Sequence, residues 1–437
     1  MTVKVFTHPN GLRIIYEKTS SGRQTTHIQA FCDVGSIHEP ENLKGAAHFV
    51  EHMCFKGTVG KPDFRKIYSV YDNIGAYINA STDKRYTKYS VTCDTRHVES
   101  VLPTLADMML NSVFNSADLR REEKIVIEEN TILNRDPSEK MFDGADTMLY
   151  NGTNYSRPVD SLEYHKPLFK RDEVIKFYKM YYQPNRMVLS ITSQLSFDAI
   201  RKLISKTHFV KACSATEYVY PNINTSIITP SDGIQYKLIK ATGTFVSIGF
   251  RILTEDKWPF ICLSAILSGT MNSRLWKILR DDGGISYNVN SDCTTYEQNG
   301  DFLIYVDSDS SKIITDGAKP GVLPLIIKLL NDLIQHGITQ PELDVAKGYL
   351  RGTFIRNSEL GEVVSDYNGE HAILFPGVPI VPYSDIYREN IANVDKSEIH
   401  ACIRKYFKKE LMSVCITCDK SIQMSAIKSI CDGIKSR

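Results

Sequence analysis

His48, Glu51 and His52 are residue types that bind a metal ion and move protons, and they fall within five consecutive positions, His48-Phe49-Val50-Glu51-His52. The two histidines are four residues apart. On a helix that spacing places both imidazoles on one face, one turn apart, where they can share a cation. The carboxylate between them stands next to whatever they hold. The order is the reverse of the commoner His-Glu-x-x-His arrangement, with the same chemical parts.

Two histidines seldom complete a catalytic zinc site, which takes three protein ligands and keeps one position open. The helix predicted over Asp118–Leu133 offers a third. Its apolar stripe runs through Ile125, Val126, Ile132 and Leu133. Glu129 lies three or four residues from each of these, so the reading turns it into that stripe. A carboxylate buried there without a partner costs several kcal/mol and calls for a cation. Glu128 shares a face with Arg121, Lys124 and Thr131 and is read as solvated. Glu122 stands seven residues before Glu129 on the same face, placed to support a ligand from behind or to act as an alternative ligand.

The elements that must position these groups belong to an ordinary globular chain. Its 437 residues exceed one core and suit two large domains. Hydrophobic residues make up 42% and charged residues 24%, as in soluble domains. A net charge of +1 gives no reason to expect a nucleic-acid or anionic-membrane partner. No apolar run reaches membrane-spanning length. Met1–Tyr16 reads as neither a secretory signal nor a transit peptide, so a cytoplasmic protein is the default expectation. The 10 cysteines show no disulfide framework. Cys415 and Cys418 fall in a strand-like stretch that points them to opposite faces, so they read as core residues.

Along the chain, a short strand pair across Asn10-Gly11 precedes a β-rich run, Thr26–Val34. A helix over Leu43–Lys56, closed by Gly57, carries the histidines, and a second helix spans Pro62–Ile74. Strands Ala76–Thr82 and Tyr86–Cys93 form a hairpin through Asp83-Lys84. Helices then run from Val98 to Leu133, broken near Asn115-Ser116 and stopped by Asp136-Pro137, and another covers Arg171–Tyr182. After a Ser-, Thr-, Asn- and Pro-rich stretch the order repeats. It resumes with a strand Thr244–Arg251, a helix Phe260–Ser268, a second helix through Arg280, and strands on either side of Asn299-Gly300. A long helix pair and a terminal strand, Leu411–Thr417, complete it. The class is α+β, with two similar halves, each an antiparallel sheet packed with helices. We assign residues 1–212 to a metal-binding domain, 213–233 to a linker and 234–437 to a homologous second domain.

With these residues in place the chain resembles the M16 metallopeptidases, the pitrilysin and mitochondrial processing peptidase family. Asn10-Gly11-Leu12-Arg13, Val34-Gly35-Ser36, Gly45 through Thr58, Asn79-Ala80-Ser81-Thr82 and Glu122 through Glu129 follow its pattern, and the likeness extends over nearly the whole chain. The resemblance implies the two-half metallohydrolase fold shared with the LuxS proteins, in a single-unit subunit. It also implies one zinc ion per subunit on His48, His52 and Glu129. The 77 residues from His52 to Glu129 suit the family's third ligand. Glu51 would then be the general base toward a zinc-activated water, with peptides or unfolded proteins as substrates. Asn79 and Ala80 would lie near the scissile bond on a strand that accepts the peptide by strand addition.

In the second half, Gly269 through Leu275 and Leu279 through Tyr287 continue the likeness, and Arg280 and Tyr287 match the family's substrate-binding arginine and tyrosine. The chain departs from the pattern at Asp281-Asp282-Gly283 and at Gly75-Ala76. Because one chain supplies only half of the family's chamber, the resemblance implies a homodimer with composite sites, or a heterodimer with a related subunit. The rival expectation is a non-catalytic scaffold or peptide-binding subunit of the same fold.

Overall fold

Two β-sheets organise the chain, and one strand order recurs in both. The computed structural model describes residues 2–19, 22–159, 169–214, 223–225, 230–420 and 422–435. The first sheet contains β1 (Val3–Thr7), β2 (Arg13–Lys18), β3 (Thr25–Cys32), β4 (Tyr77–Thr82), β5 (Thr87–Asp94) and β6 (Met187–Ser193). They lie in the order β1-β2-β6-β3-β5-β4. The second sheet contains β7 (Gln235–Lys240), β8 (Thr244–Leu253), β9 (Val289–Thr295) and β10 (Asn299–Ser308). After a two-residue ladder of β11 (Thr315–Asp316) with β12 (Lys319–Pro320), β13 (Met412–Cys418) completes it, in the order β7-β13-β8-β10-β9. Without β1 the two orders match strand for strand.

The halves are therefore similar, with one amendment to the expectation of purely antiparallel sheets. β2 pairs with β6, and β7 with β13, in parallel. Each pair joins a strand near the start of its half to the closing strand across a long connection, which is what parallel pairing requires. The closing strands β6 and β13 are buried at every residue because both faces are covered.

One face of the first sheet packs Ile28, Ala30, Leu189 and Ile191 against Phe49, Val50 and Met53 of α1 (Ala46–Cys54). α2 (Phe64–Asp72) and α3 (Val98–Leu110) add Ile67, Tyr71, Leu102 and Leu105 to the same core. On the other face Ile15, Phe31 and Val188 meet Ala372, Ile373 and Leu374 of the helix Gly361–Leu374. Close approach there depends on Gly369, where an added Cβ would stand 2.1 Å from the Phe31 ring. In the second half the corresponding cover is a helix from the first half of the sequence. Following α4 (Ser116–Leu133), α5 (Pro137–Leu149) packs on β7, β8 and β13. A Cβ on its Gly144 would lie 2.5 Å from Cys415 Sγ.

The compact units reflect this exchange. One comprises residues 1–130, 157–223 and 355–385; the other comprises 131–156, 224–354 and 386–437. All strands of each sheet still fall on their own side of residues 213–233, a stretch largely outside the described residues.

Three local readings are corrected. Asp136-Pro137 does not only stop a helix; it starts α5, with the Asp136 carboxylate accepting from the Ser138 N–H and Pro137 in the first turn. Asn299-Gly300 opens β10, and the turn lies just before it, closed by Tyr296 N–H donating to Asn299 O at 2.7 Å. The glycine that shapes the histidine helix is Gly45 rather than Gly57. At φ +82° it breaks the chain immediately before α1, which explains why that helix begins later than Leu43. All ten cysteines are free; eight are buried as core residues, Cys293 is half-buried and Cys213 is exposed. Among the described residues no helix is long and apolar enough to cross a membrane.

Candidate metal centre

α1 buries Ala46, Ala47, Phe49, Val50, Met53 and Cys54, so the remaining stripe presents His48 and His52 together. No side chain at Gly45 caps this helix. Its free N–H groups are met instead by the buried carboxylate of Glu39, which accepts from Gly45 at 2.7 Å and Ala47 at 2.8 Å. Burial pushes the Glu39 carboxyl up to about 8, against the pull of these two N–H groups. An anchored first turn fixes the direction in which the histidines of the next turns point.

The two imidazole Nε2 atoms stand 3.1 Å apart, and a carboxylate oxygen of Glu129 lies 3.4 Å from His52 Nε2. One ligand atom from each of His48, His52 and Glu129 falls within 4.8 Å of the others. Two nitrogens bound to one tetrahedral zinc at ordinary bond lengths are separated by roughly 3.3 Å, so this donor set fits the ion. Two imidazoles and a carboxylate also suit zinc chemically.

The helix-face argument for Glu129 needs correction. The buried residues of α4 are Leu119, Glu122, Val126 and Asn130, whereas Ile125 and Ile132 are exposed. The Glu129 side chain is 44% exposed and sits at the edge of the buried face. Apolar residues alone mislocate that face because two of its positions are polar. The carboxylate that does require compensation is Glu122, which is 1% exposed. One of its oxygens lies 2.9 Å from Lys56 Nζ and the other 3.4 Å from His52 Nδ1. Burial alone would raise the Glu122 carboxyl, but His52 and Lys56 outweigh it and hold it below the usual range. Glu122 thus lies behind His52, outside the triad. Glu128 is exposed, as expected.

Glu51 is buried beside the triad. Burial pushes its carboxyl above the usual range, against the charges of His48 and His52 and a hydrogen bond from Thr82. The Thr82 hydroxyl donates to Glu51 Oε2 at 2.7 Å. Thr82 ends β4, which is the edge strand of its sheet. Asn79 is exposed and Ala80 half-buried on that strand. Thr82, rather than either of them, is the β4 side chain that reaches Glu51. Lys56 and Thr82 were not singled out from the sequence, although signals existed: Lys56 follows His52 by one helical turn, and Thr82 shares a strand face with Ile78 and Ala80.

Arg280 and Tyr287 are brought together in the second compact unit. Arg280 lies in the π-helical turn Trp276–Asp281, its guanidinium 4.5 Å from the Trp276 ring and 4.8 Å from the Tyr287 ring. Tyr287 is 71% exposed.

Fold and triad together define a two-half α+β protein with a His₂Glu cluster able to hold a metal ion, its two histidines on an inverted His-x-x-Glu-His helix and its glutamate on α4. Residues 13–161 match the insulinase family, peptidase family M16, and residues 169–350 match the domain described as the peptidase M16 inactive domain. The chain belongs to the M16 peptidase family. It is 29% identical over 377 residues to YmxG of Bacillus subtilis, a protein named as an uncharacterized zinc protease, covering 85% of this chain and 88% of that one. With the β subunit of the Caenorhabditis elegans mitochondrial-processing peptidase it shares 32% identity over 221 residues, 49% of this chain and 47% of that one. A Helicobacter pylori protease structure shares the fold with a TM-score of 0.86 at 19% identity, covering 95% of this chain and 99% of that one.

Proposed function

We propose that the protein is a zinc-dependent metalloendopeptidase acting on extended or unfolded peptides. The observation that carries this reading is the His48, His52 and Glu129 cluster with the buried carboxylate of Glu51 beside it. Zinc held by the three ligands supplies a Lewis acid that polarises the scissile carbonyl and acidifies water. Glu51 takes the proton from the attacking water and passes it to the leaving amine. Glu122 fixes the ring of His52 from its Nδ1 side. The open edge of β4 accepts the substrate backbone as an added strand, with Asn79 and Ala80 along the bound peptide. Arg280 and Tyr287 are donors suited to the substrate carbonyl and its developing negative charge. We further propose that they serve the metal centre of a second copy in a homodimer.

Cleavage of a quenched peptide, with metal analysis and sizing of the active species, tests these points. Activity should vanish with chelator, return with zinc, and be lost in Glu51→Gln with metal retained. Full activity in chelator or in Glu51→Gln would refute the mechanism and leave the scaffold or peptide-binding reading. An active monomer would refute the two-copy site alone.

A further inference from the structure

The contact between Thr82 and Glu51 gives β4 a role beyond docking peptide. Thr82 and Thr87 face each other directly across the β4–β5 ladder. The Thr87 hydroxyl is buried and donates to Val34 O at 2.8 Å, so its single proton is engaged away from Thr82. The two hydroxyl oxygens are 3.4 Å apart, a much weaker contact than the 2.7 Å from Thr82 to Glu51. Thr82 therefore directs its one O–H at Glu51 Oε2. A hydroxyl donating to a carboxylate is among the stronger hydrogen bonds of a protein interior, and Glu51 is 7% exposed. Threonine also has a branched Cβ, which restricts rotation about its first torsion and keeps the donor aimed.

From this geometry we infer that Thr82 is the positioning residue of the general base, holding the Glu51 carboxylate in the orientation that receives the proton. The inference rests on the peptidase reading. It adds that the strand receiving the substrate is the same strand that aims the base, so backbone pairing along β4 and base alignment are set by one element. Thr82 hydrogen-bonds to Glu51, and its effect runs through that carboxylate.

Thr82→Val removes the hydroxyl while keeping shape, and Thr82→Ser keeps the hydroxyl. Thr82→Val should lower kcat by roughly ten- to hundredfold, the cost of a misaimed catalytic group, with KM and zinc content close to wild type. Thr82→Ser should recover most of that loss. In the metal-free protein, the melting shifts of Thr82→Val and Glu51→Gln should be non-additive, because each removes one end of the same bond. Wild-type kcat in Thr82→Val, together with additive melting shifts, would overturn the inference. So would a loss that Thr82→Ser fails to repair. Failure of the underlying reading looks different: there Glu51→Gln itself stays active, whatever Thr82 does.

Discussion

Lys56→Met removes the ammonium that faces the most deeply buried carboxylate of the metal centre. Lys56 Nζ lies 2.9 Å from Glu122, whose side chain is 2% exposed, while the Lys56 side chain is 23% exposed. At an effective dielectric constant of about 20, two unit charges at that distance attract by about 6 kcal/mol, which sets a ceiling. Removing one partner of a fully buried pair costs about 3–5 kcal/mol, because the remaining charge is left uncompensated. Lys56 is open enough for water to replace part of its interaction, so we expect about 2 kcal/mol. For a unit of this size that loss lowers the melting midpoint by about 4–8 °C. Zinc affinity should also fall, toward the roughly tenfold end of the effects seen when a ligand's supporting group is disturbed, because Glu122 still contacts His52. Glu122→Gln should weaken zinc further. Thermal melts of the metal-free protein, paired with zinc titration against a competing chelator, measure both effects. If Lys56→Met melts and binds zinc as wild type does while Glu122→Gln loses affinity, the lysine is a bystander and the proposed chain from Lys56 through Glu122 to His52 is wrong.

Glu129→Gln should lose most of its zinc while keeping the melting midpoint of the metal-free protein, since the side chain is nearly half exposed; metal retention equal to wild type would reassign the third ligand. In the second unit, burial works to raise the Glu342 carboxyl, but Arg274 and the N–H and hydroxyl of Thr339 outweigh it and hold it at about 2. A depressed carboxyl stabilises the fold above its unfolded pKa and stops doing so as pH falls through its folded one. Stability of about 2 kcal/mol should therefore fade between about pH 5 and 2. Melts across that window should show a shallower acid slope in Glu342→Gln, and an unchanged slope would refute the pairing. Gly144→Ala and Gly369→Ala should each destabilise by about 1–3 kcal/mol although alanine is the better helix former by about 1 kcal/mol, because the new Cβ strikes Cys415 or Phe31. Denaturant midpoints at or above wild type would show that these helices can lift from their sheets.

Local chemistry was legible in the sequence, and long-range exchange was not. The spacing of His48 and His52 fixed their common face, and strand alternation located the β4–β5 hairpin to within a residue or two. The pairing of β2 with β6 could not be read, since nothing in either strand specifies a partner more than 150 residues away. Nor could the crossing of α5 and the helix Gly361–Leu374 to sheets built from the other half of the sequence, where the deciding feature is a lone glycine that admits close packing. For Glu129, the family pattern selected the residue that joins the cluster, while the apolar-stripe argument failed. That stripe was counted from apolar residues, and α4 spends buried positions on Glu122 and Asn130. A buried face that serves a metal centre is partly polar, so hydrophobic periodicity is weakest where the chemistry is.

The duplicated topology places the candidate metal-binding cluster in one half, and among the described residues the other half has no such cluster. In each half a helix follows the strand that lies third from one sheet edge and packs against the strand at that edge: α1 after β3 against β4, and the helix Lys257–Ser268 after β8 against β9. Side-chain hydroxyls tie helix to edge strand in both. In the second half, Ser264 donates to Ser291 O at 2.7 Å and Ser268 meets the Ser291 hydroxyl at 2.8 Å. In the first, Thr82 makes the tie, and its partner on the helix is Glu51. The helix Lys257–Ser268 otherwise buries Phe260, Leu263, Ala265, Ile266 and Leu267 with a single thiol, Cys262, and has no histidine or carboxylate on that buried face. In both halves, then, helix and edge strand are joined by a side-chain hydroxyl. Under the proposed function, an ionisable carboxylate at that junction, with imidazoles on the adjoining helical face, would make a structural hydrogen bond the support of a base, so that the site could differ between halves while the sheets stay alike.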